Sequence, residues 1–189
     1  MKELDRNFKR KYSLSEYNQE WVCHFSKIKN LLSEVFRNKA LSIEHVGSTS
    51  VQGMVAKPTI DVLIIVNKLE SFQEQKDMMT KMGYEWGENY IAPNTLVFFK
   101  LGEGGEKLEN IHVCAIDSQM IQQFTVMRDY LRAHPEKVKM YSDLKRENAN
   151  LYPEDYPAYR EAKAPFLEKL ESEAYEWYDN STKIHNKGM

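Results

Sequence analysis

The sequence has few of the features that mark exported, membrane-spanning or disulfide-stabilised proteins. Cysteine occurs only twice in 189 residues, and the apolar surroundings of Cys23 and Cys114 predict reduced core residues rather than a disulfide. The chain has no run of about 18 apolar residues, the length that crosses a bilayer. Its first residues, MKELDRNFKRKYS, carry charges without the apolar stretch of a signal peptide. We therefore expect a cytoplasmic protein without a membrane partner.

Basic charge is not in excess either. The chain has 26 Lys and Arg residues against 28 Asp and Glu residues, a net charge of -2. Proteins that bind nucleic acid usually carry a basic surplus. The composition therefore indicates no nucleic-acid partner, although it leaves a local basic surface open.

Internal repeats, low-complexity segments and long linkers are absent as well. With 42% hydrophobic residues, a chain of this length can bury a full core. We predict one α+β domain over residues 1–189. Residues 1–117 are predicted to form a mixed sheet with flanking helices, and residues 118–189 a helical C-terminal part.

Short segments with β-branched and aliphatic composition predict the strands. These segments cover residues 42–46, 60–66, 84–91, 95–101 and 109–116, and the last two are predicted to form a hairpin. Helices are predicted where apolar residues recur at spacings of three and four. The first follows a capping-box pattern at residues 13–16 and extends to Val35, and the others cover residues 69–82, 120–131, 135–150 and 157–178.

The most informative segment is residues 43–66, in which a loop of small residues lies between two predicted strands. Gly47 permits a tight turn and a close approach of the backbone to a ligand. Ser48, Thr49 and Ser50 follow a strand, where consecutive amides and hydroxyls can surround phosphate oxygens. Lys57 adds a positive charge to the same loop, although a lysine before a proline can equally be a turn residue. We therefore predict a phosphate-binding loop at residues 47–50.

Asp61 is the acidic residue of the second strand, IDVLIIV. A carboxylate in an aliphatic strand is costly unless it is paired, hydrogen-bonded or bound to a metal ion. Asp61 is therefore the first candidate for a catalytic or metal-binding residue. A structural role, in which Asp61 caps the loop or pairs with Lys57, explains its presence equally well.

Two histidines can be combined with Asp61 in a second arrangement. His45 precedes the loop, and His112 lies in the strand-like run NIHVCAI. If the three strands are neighbours, His45, Asp61 and His112 form a set of two imidazoles and one carboxylate, which suits a transition metal. Either imidazole can instead carry a proton in catalysis, or can remain a core residue with satisfied ring nitrogens.

Three segments of the sequence resemble the GrpB family of bacterial proteins. They are HVGSTSVQGMVAKPTIDVLI (45–64), RDYLRAHPEKVKMYSDLKRE (128–147) and YREAKAPF (159–166), and the similarity spans roughly residues 17–175. The resemblance implies a nucleotidyltransferase-like fold. It also implies that the Gly-Ser loop binds nucleotide phosphates and that Asp61 holds Mg²⁺ or Mn²⁺.

One position departs from the nucleotidyltransferase pattern. Enzymes of this type place two carboxylates at positions i and i+2 of the second strand, where both side chains share one face and hold metal ions. Leu63 occupies the second of these positions. A single aspartate supports Mg²⁺ only when substrate phosphates and water supply the remaining ligands.

The resemblance also draws attention to basic residues of the C-terminal half. Arg128, Lys145 and Lys163 fall on recurring positions of the GrpB pattern and are predicted to cover the phosphate site, because guanidinium and ammonium groups bind phosphate. Acidic and basic residues alternate throughout these helices, however, and this pattern is also typical of a solvated surface with weak ion pairs.

These observations support two functional hypotheses. As an enzyme, the protein would transfer a nucleotidyl or related phosphoryl group, with a divalent metal ion on Asp61 and His45 or His112 as proton carrier. As a binding module, it would hold a nucleotide or another phosphorylated small molecule at residues 47–50 without chemistry. Leu63 favours the second hypothesis, whereas Asp61 favours the first.

Overall fold

The first two helices begin later in the chain than the sequence pattern predicts. In the computed structural model, which describes residues 12–69, 72–88 and 94–186, helix α1 covers Glu20–Phe36 and α2 covers Gln73–Lys81. The predicted capping box at residues 13–16 is wrong, because the backbone of Ser15 pairs with that of Ala56 instead. Residues 70–71 of the predicted second helix lie outside the described residues.

Five strands, among the described residues, form one mixed sheet. They are β1 (Ala40–Val46), β2 (Ile60–Val66), β3 (Glu85–Glu88), β4 (Thr95–Leu101) and β5 (Lys107–Ala115). The order across the sheet is β1-β2-β5-β4-β3. Strands β2 and β5 are parallel and the other neighbours are antiparallel, so β4 and β5 form the predicted hairpin. Residues 89–91, predicted to extend β3, lie outside the described residues.

The two faces of the sheet are covered by different helices. Val62 and Ile64 of β2 point to one face, where they are fully buried in a core that contains residues of α1 and α2. Leu63 points to the opposite face and packs with Phe124 of helix α3 (Gln119–Ala133). This division follows from the alternation of side chains along a strand. The two surfaces are called the core face and the α3 face below.

The C-terminal half is helical, as predicted. Helix α3 is followed by α4 (Pro135–Leu151) and α5 (Tyr156–Asn186), and the three helices share a second apolar cluster. Val51 and Met54, from the segment between β1 and β2, are buried in this cluster. The helical half therefore holds the segment that follows β1. None of the described helices combines the length and the apolar composition that a bilayer crossing needs.

The two cysteines differ in their surroundings. Both thiols are free, and Cys114 is buried, as predicted. The prediction of a core position for Cys23 is wrong, because this side chain is exposed. In α1, Cys23 lies two positions after the buried Trp21, which places it about 200° around the helix axis and away from the core.

Candidate functional site

The turn after β1 is shaped by a close contact between Gly47 and Asp61. Gly47 has a φ angle of 69°, in the region that favours glycine. A Cβ atom at this position would lie 2.6 Å from Oδ2 of Asp61. Glycine is therefore required both by the backbone conformation and by the space that the carboxylate occupies.

Two side chains from β5 orient the carboxylate of Asp61. Nδ2 of Asn110 donates to Oδ1 at 2.9 Å, and Nε2 of His112 lies 3.5 Å from the same oxygen. Burial acts to raise the pKa of Asp61, but His112, Asn110 and Lys57 outweigh it and bring the pKa below its ordinary value. Asp61 is therefore ionised at neutral pH. Its side chain is 27% exposed, so a ligand can reach it.

His45 lies on the opposite face of the sheet from Asp61 and His112. It pairs across the strands with Val62, a core-face residue, and its ring stacks on Phe25 with centroids 4.7 Å apart. The predicted convergence of His45, Asp61 and His112 on one metal ion is therefore wrong, because neighbouring strand residues alternate between faces. Burial lowers the pKa of His45 to about 4, so the ring is neutral at pH 7.

A cavity of about 270 Å³ opens beside Asp61, between the sheet and the helical half. Its lining contains five basic side chains, namely Lys57, Lys107, Lys145, Arg160 and Lys163. Asp61 is the one carboxylate among the described residues that line it. The cavity is therefore strongly positive in a chain whose net charge is -2.

The three hydroxyls predicted to bind phosphate point in different directions. Ser48 lines the cavity, and its Oγ accepts a hydrogen bond of 2.8 Å from Nζ of Lys145. Thr49 also lines the cavity, but its hydroxyl is bonded to His45 and to a backbone carbonyl. The hydroxyl of Ser50 donates to a carbonyl within its own turn, and Ser50 does not line the cavity. Ser50 is therefore not placed to contact an anion in this cavity.

Three of the cavity lysines lie over tyrosine rings. The pairs, with the distance from Nζ to the ring centroid, are Lys145 with Tyr141 (4.0 Å), Lys57 with Tyr156 (4.4 Å) and Lys163 with Tyr159 (4.5 Å). An aromatic face attracts an ammonium group without neutralising its charge. The tyrosines therefore hold the lysines in place without supplying a counter-charge.

Lys145 is the most buried of these cations, with 3% of its surface exposed. Its Nζ donates to Oγ of Ser48 and to the carbonyl of Val55, each at 2.8 Å. Burial, followed by the charges of Lys163 and Lys57, lowers the pKa of Lys145 well below its ordinary value. Burial and Lys57 also lower the pKa of Lys163, to about 8. An anion in the cavity would oppose both shifts, because it favours the charged amines.

Arg128 does not reach the cavity. Its guanidinium donates to Glu44 and to Asp129, both at 2.7 Å. These two carboxylates hold Arg128 beside β1, where its charge is already neutralised. Arg128 is therefore not placed to contact an anion in this cavity, whereas Lys57, Lys145 and Lys163 do line it.

Two basic residues of the cavity have no counterpart in the sequence prediction. Arg160 lies in the YREAKAPF segment, three residues before Lys163, and this spacing of one helical turn is a signal that identifies it. Lys107 is the first residue of β5 and reaches the cavity through strand pairing. No local pattern in the sequence indicates that position.

Leu63 shares the α3 face with Asp61, as strand alternation predicts. It is fully buried with Val46 and Cys114, and it does not line the cavity. The cavity lies at the beginning of β2, beside Asp61, whereas α3 covers the next residue on the same face. The position at which the nucleotidyltransferase pattern would place a second carboxylate is therefore filled by a packed leucine side chain.

Asp61 can supply one ligand to a divalent cation. Oδ1 accepts the hydrogen bond from Asn110, and Oδ2 lies on the side of Gly47. Within residues 12–69, 72–88 and 94–186, no group of three or more His, Cys, Asp and Glu side chains is arranged to hold a metal ion. Mg²⁺ is commonly held by one or two carboxylates together with substrate phosphates and water. Asp61 would therefore hold Mg²⁺ or Mn²⁺ only together with a phosphate-bearing ligand that supplies further oxygens.

Comparison with known proteins assigns the chain to a family. The model of the GrpB protein family matches residues 11–173. The chain belongs to the GrpB family. The UPF0157 protein YqkA of Bacillus subtilis (strain 168) is 35% identical over 170 residues, which cover 89% of this chain and 49% of YqkA. The chain thus spans about half the length of this relative.

Two further GrpB proteins match over most of their length. The glutamate-rich protein GrpB of Alkalihalophilus pseudofirmus is 29% identical over 163 residues, which cover 85% of this chain and 94% of that protein. The crystal structure of the conserved protein GrpB from Enterococcus faecalis has a TM-score of 0.83 at 30% identity, and the match covers 88% of this chain and 99% of that one. The GrpB resemblance of the sequence and the predicted α+β fold are therefore confirmed.

Proposed function

We propose that this GrpB-family protein binds a nucleotide or another phosphorylated small molecule in the cavity beside Asp61. The observation that carries the proposal is the local charge, since five basic side chains and one carboxylate line the cavity of a slightly acidic chain. A cleft lined by charges of one sign concentrates ligands of the opposite sign. The positive charge of the cavity lining therefore favours an anionic ligand that is small enough for this cavity.

Three of the cavity cations have no acidic partner among the described residues. Within the described chain, no carboxylate forms an ion pair with Lys145, Arg160 or Lys163. Phosphate oxygens accept hydrogen bonds from lysine and arginine, and each hydrogen bond to a charged group contributes about 1.5–3 kcal/mol. A phosphate group therefore complements this set of donors in charge and in hydrogen bonding.

The finer proposal is metal-dependent nucleotidyl transfer. A divalent ion held by Asp61 would polarise the phosphate oxygens. The lysines and Arg160 would position the phosphates and neutralise charge that develops on them. The second candidate is a binding module without transfer activity, and the observation that favours it is the burial of Leu63 at the position of the second carboxylate.

Calorimetry with inorganic triphosphate, ATP and glucose 6-phosphate, each with and without Mg²⁺, tests the binding proposal. Lys163→Met should weaken the binding of a phosphate ligand at least tenfold, because one cation of the cavity is lost. Lys139→Met is a matched control, since Lys139 is exposed and paired with Asp143 outside the cavity. If wild type binds none of the three ligands, or if both variants lose the same affinity, the proposal is wrong.

Asp61→Asn separates the two candidate roles. The substitution preserves shape and removes the negative charge that a divalent ion requires. For an enzyme, Mg²⁺-dependent release of pyrophosphate from nucleoside triphosphates should be measurable in wild type and absent in the variant. For a binding module, wild type should bind a nucleotide by calorimetry and release no pyrophosphate.

A further inference from the structure

Ser48 and Lys145 form a hydroxyl–amine pair in the wall of the cavity. Oγ of Ser48 and Nζ of Lys145 are 2.8 Å apart, and both residues line the cavity. Nζ also lies 2.8 Å from the backbone carbonyl of Val55, which orients the amine. Enzymes activate serine with this arrangement, in which a nucleophile contacts a base and a third group orients the base.

The surroundings of Lys145 favour a neutral amine. Burial has the largest effect, followed by the charges of Lys163 on α5 and Lys57 in the loop, and together these lower the pKa of Lys145 well below its ordinary value. Asp61 acts in the opposite direction, and the ring of Tyr141 lies below Nζ. A lysine whose pKa is lowered by burial can act as a base near neutral pH.

The hydrogen bonds of Lys145 are compatible with that role. A neutral amine has two N–H donors and one lone pair. The charged amine donates both to Oγ of Ser48 and to the carbonyl of Val55. Once Nζ is neutral, one N–H can keep the bond to Val55 while the lone pair accepts the hydroxyl hydrogen of Ser48. The distance of 2.8 Å between Nζ and Oγ permits proton transfer in this direction.

The other two hydroxyls of the turn are not placed for this chemistry. The hydroxyl of Thr49 is bonded to His45 and to the carbonyl of Thr59, and that of Ser50 to the carbonyl of Gly47. Neither contacts an amine. The turn therefore contains one candidate nucleophile and a neighbouring serine that serves as its control.

We propose that Ser48 is a nucleophile that accepts a phosphoryl group from an activated phosphate ester or anhydride, with Lys145 as its general base. This step depends on the proposed phosphate binding and goes beyond it. The hydroxyl proton of Ser48 moves to the lone pair of Nζ, Oγ bonds to phosphorus, and the bond to the leaving oxygen breaks with its electron pair. The products are phosphoserine, a lysine ammonium group beside it, and the anion of the leaving group. Lys163 and Arg160 would neutralise charge on the transferred group.

p-Nitrophenyl phosphate is a suitable probe, because it is small and anionic and its leaving group departs as p-nitrophenolate without needing a proton. We expect wild type to release one equivalent of p-nitrophenolate in a burst and to carry one phosphoryl group on Ser48, located by mass spectrometry of the digested protein. Ser48→Ala should abolish the label. Ser50→Ala should be labelled as wild type is.

Lys145→Arg tests the base. Arginine stays protonated and cannot accept a proton near neutral pH, so the substitution removes the base. The rate of labelling should therefore fall at least about a hundredfold, the usual contribution of general base catalysis. Lys139→Arg, in the same helix but outside the cavity, should match wild type. The wild-type rate should also rise with pH and reach a plateau below the ordinary lysine pKa of about 10.4.

The outcomes separate this inference from the proposed function. A wild-type protein that binds inorganic phosphate by calorimetry but acquires no phosphoserine overturns the inference and leaves the binding proposal in place. Labelling of another residue, or a labelling rate independent of pH, also overturns it. If Lys145→Arg does not fold, the pH profile of wild type decides the role of the base. A protein that binds neither phosphate nor p-nitrophenyl phosphate contradicts both proposals.

Discussion

The side chains of strand β2 that point to the core face and those that point to the α3 face lie in different surroundings. On the core face, Val62 and Ile64 are fully buried among apolar side chains. On the α3 face, Asp61 borders the cavity and Leu63, two residues later, is fully buried beneath α3. Two side chains on the same face, about 7 Å apart along the strand, thus differ in role: one borders the cavity and the other packs beneath α3. Position along the strand decides the role of a side chain as much as the face does.

The largest effect is expected from Leu63→Asp, which removes the difference between the two α3-face positions. The variant loses buried leucine contacts, worth about 2–5 kcal/mol, and buries a carboxylate. We therefore expect the free energy of unfolding in urea to fall by at least about 3 kcal/mol. Leu63→Met, a volume-conserving control, should cost less than about 1.5 kcal/mol. A stable Leu63→Asp protein that binds Mg²⁺ more tightly than wild type would show that position 63 is a vacant metal-ligand position.

The contact between Gly47 and Asp61 predicts the next effect in size. Gly47→Ala should cost about 1–3 kcal/mol for a backbone conformation (φ 69°, ψ -174°) that is essentially restricted to glycine, and about 1–3 kcal/mol for the overlap with the carboxylate. Gly83→Ala is the matched control, because Gly83 has a φ angle of 84° and a Cβ atom there would meet no atom within 4 Å beyond its own chain neighbours. Urea unfolding of both variants measures the overlap as their difference. Equal losses of stability would show that the Asp61 side chain moves away from the added methyl group without a measurable free-energy cost.

Raising the pH should weaken anion binding in the cavity. The pKa of Lys163 is about 8, because of burial and the charge of Lys57, so the side chain loses its charge between pH 7 and 9. Affinity for inorganic triphosphate should fall about tenfold, which corresponds to one charge-assisted hydrogen bond of about 1.5 kcal/mol. Calorimetry at several pH values checks this, and Lys163→Met should show weaker binding with a flatter pH profile.

The stability of the ligand-free protein should follow the opposite trend. The folded pKa of Lys163 lies below its unfolded value, so the unfolded chain binds more protons between about pH 8 and pH 10. Stability should therefore rise over this range while triphosphate affinity falls. If both quantities change in the same direction, Lys163 is not the group that controls binding.

The effect expected on the core face, at His45, is seen only below neutral pH. Its pKa is lowered to about 4, mainly by burial, so the unfolded chain binds a proton between pH 6.5 and pH 4 that the folded chain does not. Stability should consequently fall as the pH is lowered through this range, with a slope of at most about 1.4 kcal/mol per pH unit for one proton. Urea unfolding of wild type and His45→Gln measures the slope. The variant should show a smaller pH dependence, and an equal slope would assign the effect to another group.

Patterns within one element predicted much of the fold. The aliphatic run of β2, the hairpin of β4 and β5, and the helical half were all readable from composition and spacing. Errors arose where a partner distant in the sequence replaced the predicted local one. Residues 13–16 have a capping-box pattern, but the backbone of Ser15 pairs with that of Ala56 instead. These two residues are 41 positions apart, and helical periodicity gives no information about a pairing over that distance.

The candidate site was predictable to the extent that its residues belong to one segment. Ser48, Lys57 and Asp61 come from the loop and the strand that follows it, and all three line the cavity. The face of His45 depends on the register of β1 against β2, because a shift of one residue reverses the direction of every side chain. The role of Arg128 depends on a carboxylate in another element, Glu44, which no local spacing reveals.

The burial of Val51 and Met54 among the helices has a consequence for cooperativity. The turn that bears Ser48 continues from the sheet, yet the residues just after it are held by the helical half. A phosphate ligand that contacts both parts should therefore slow local opening of the helices as well as of the turn. Binding stabilises the closed form by RT ln(1 + [L]/Kd), which is about 2.7 kcal/mol at a ligand concentration of 100 Kd. The far end of α5 lies about 20 Å or more from the phosphate position. Amide hydrogen exchange at that end of the helix would then report whether the cavity is occupied.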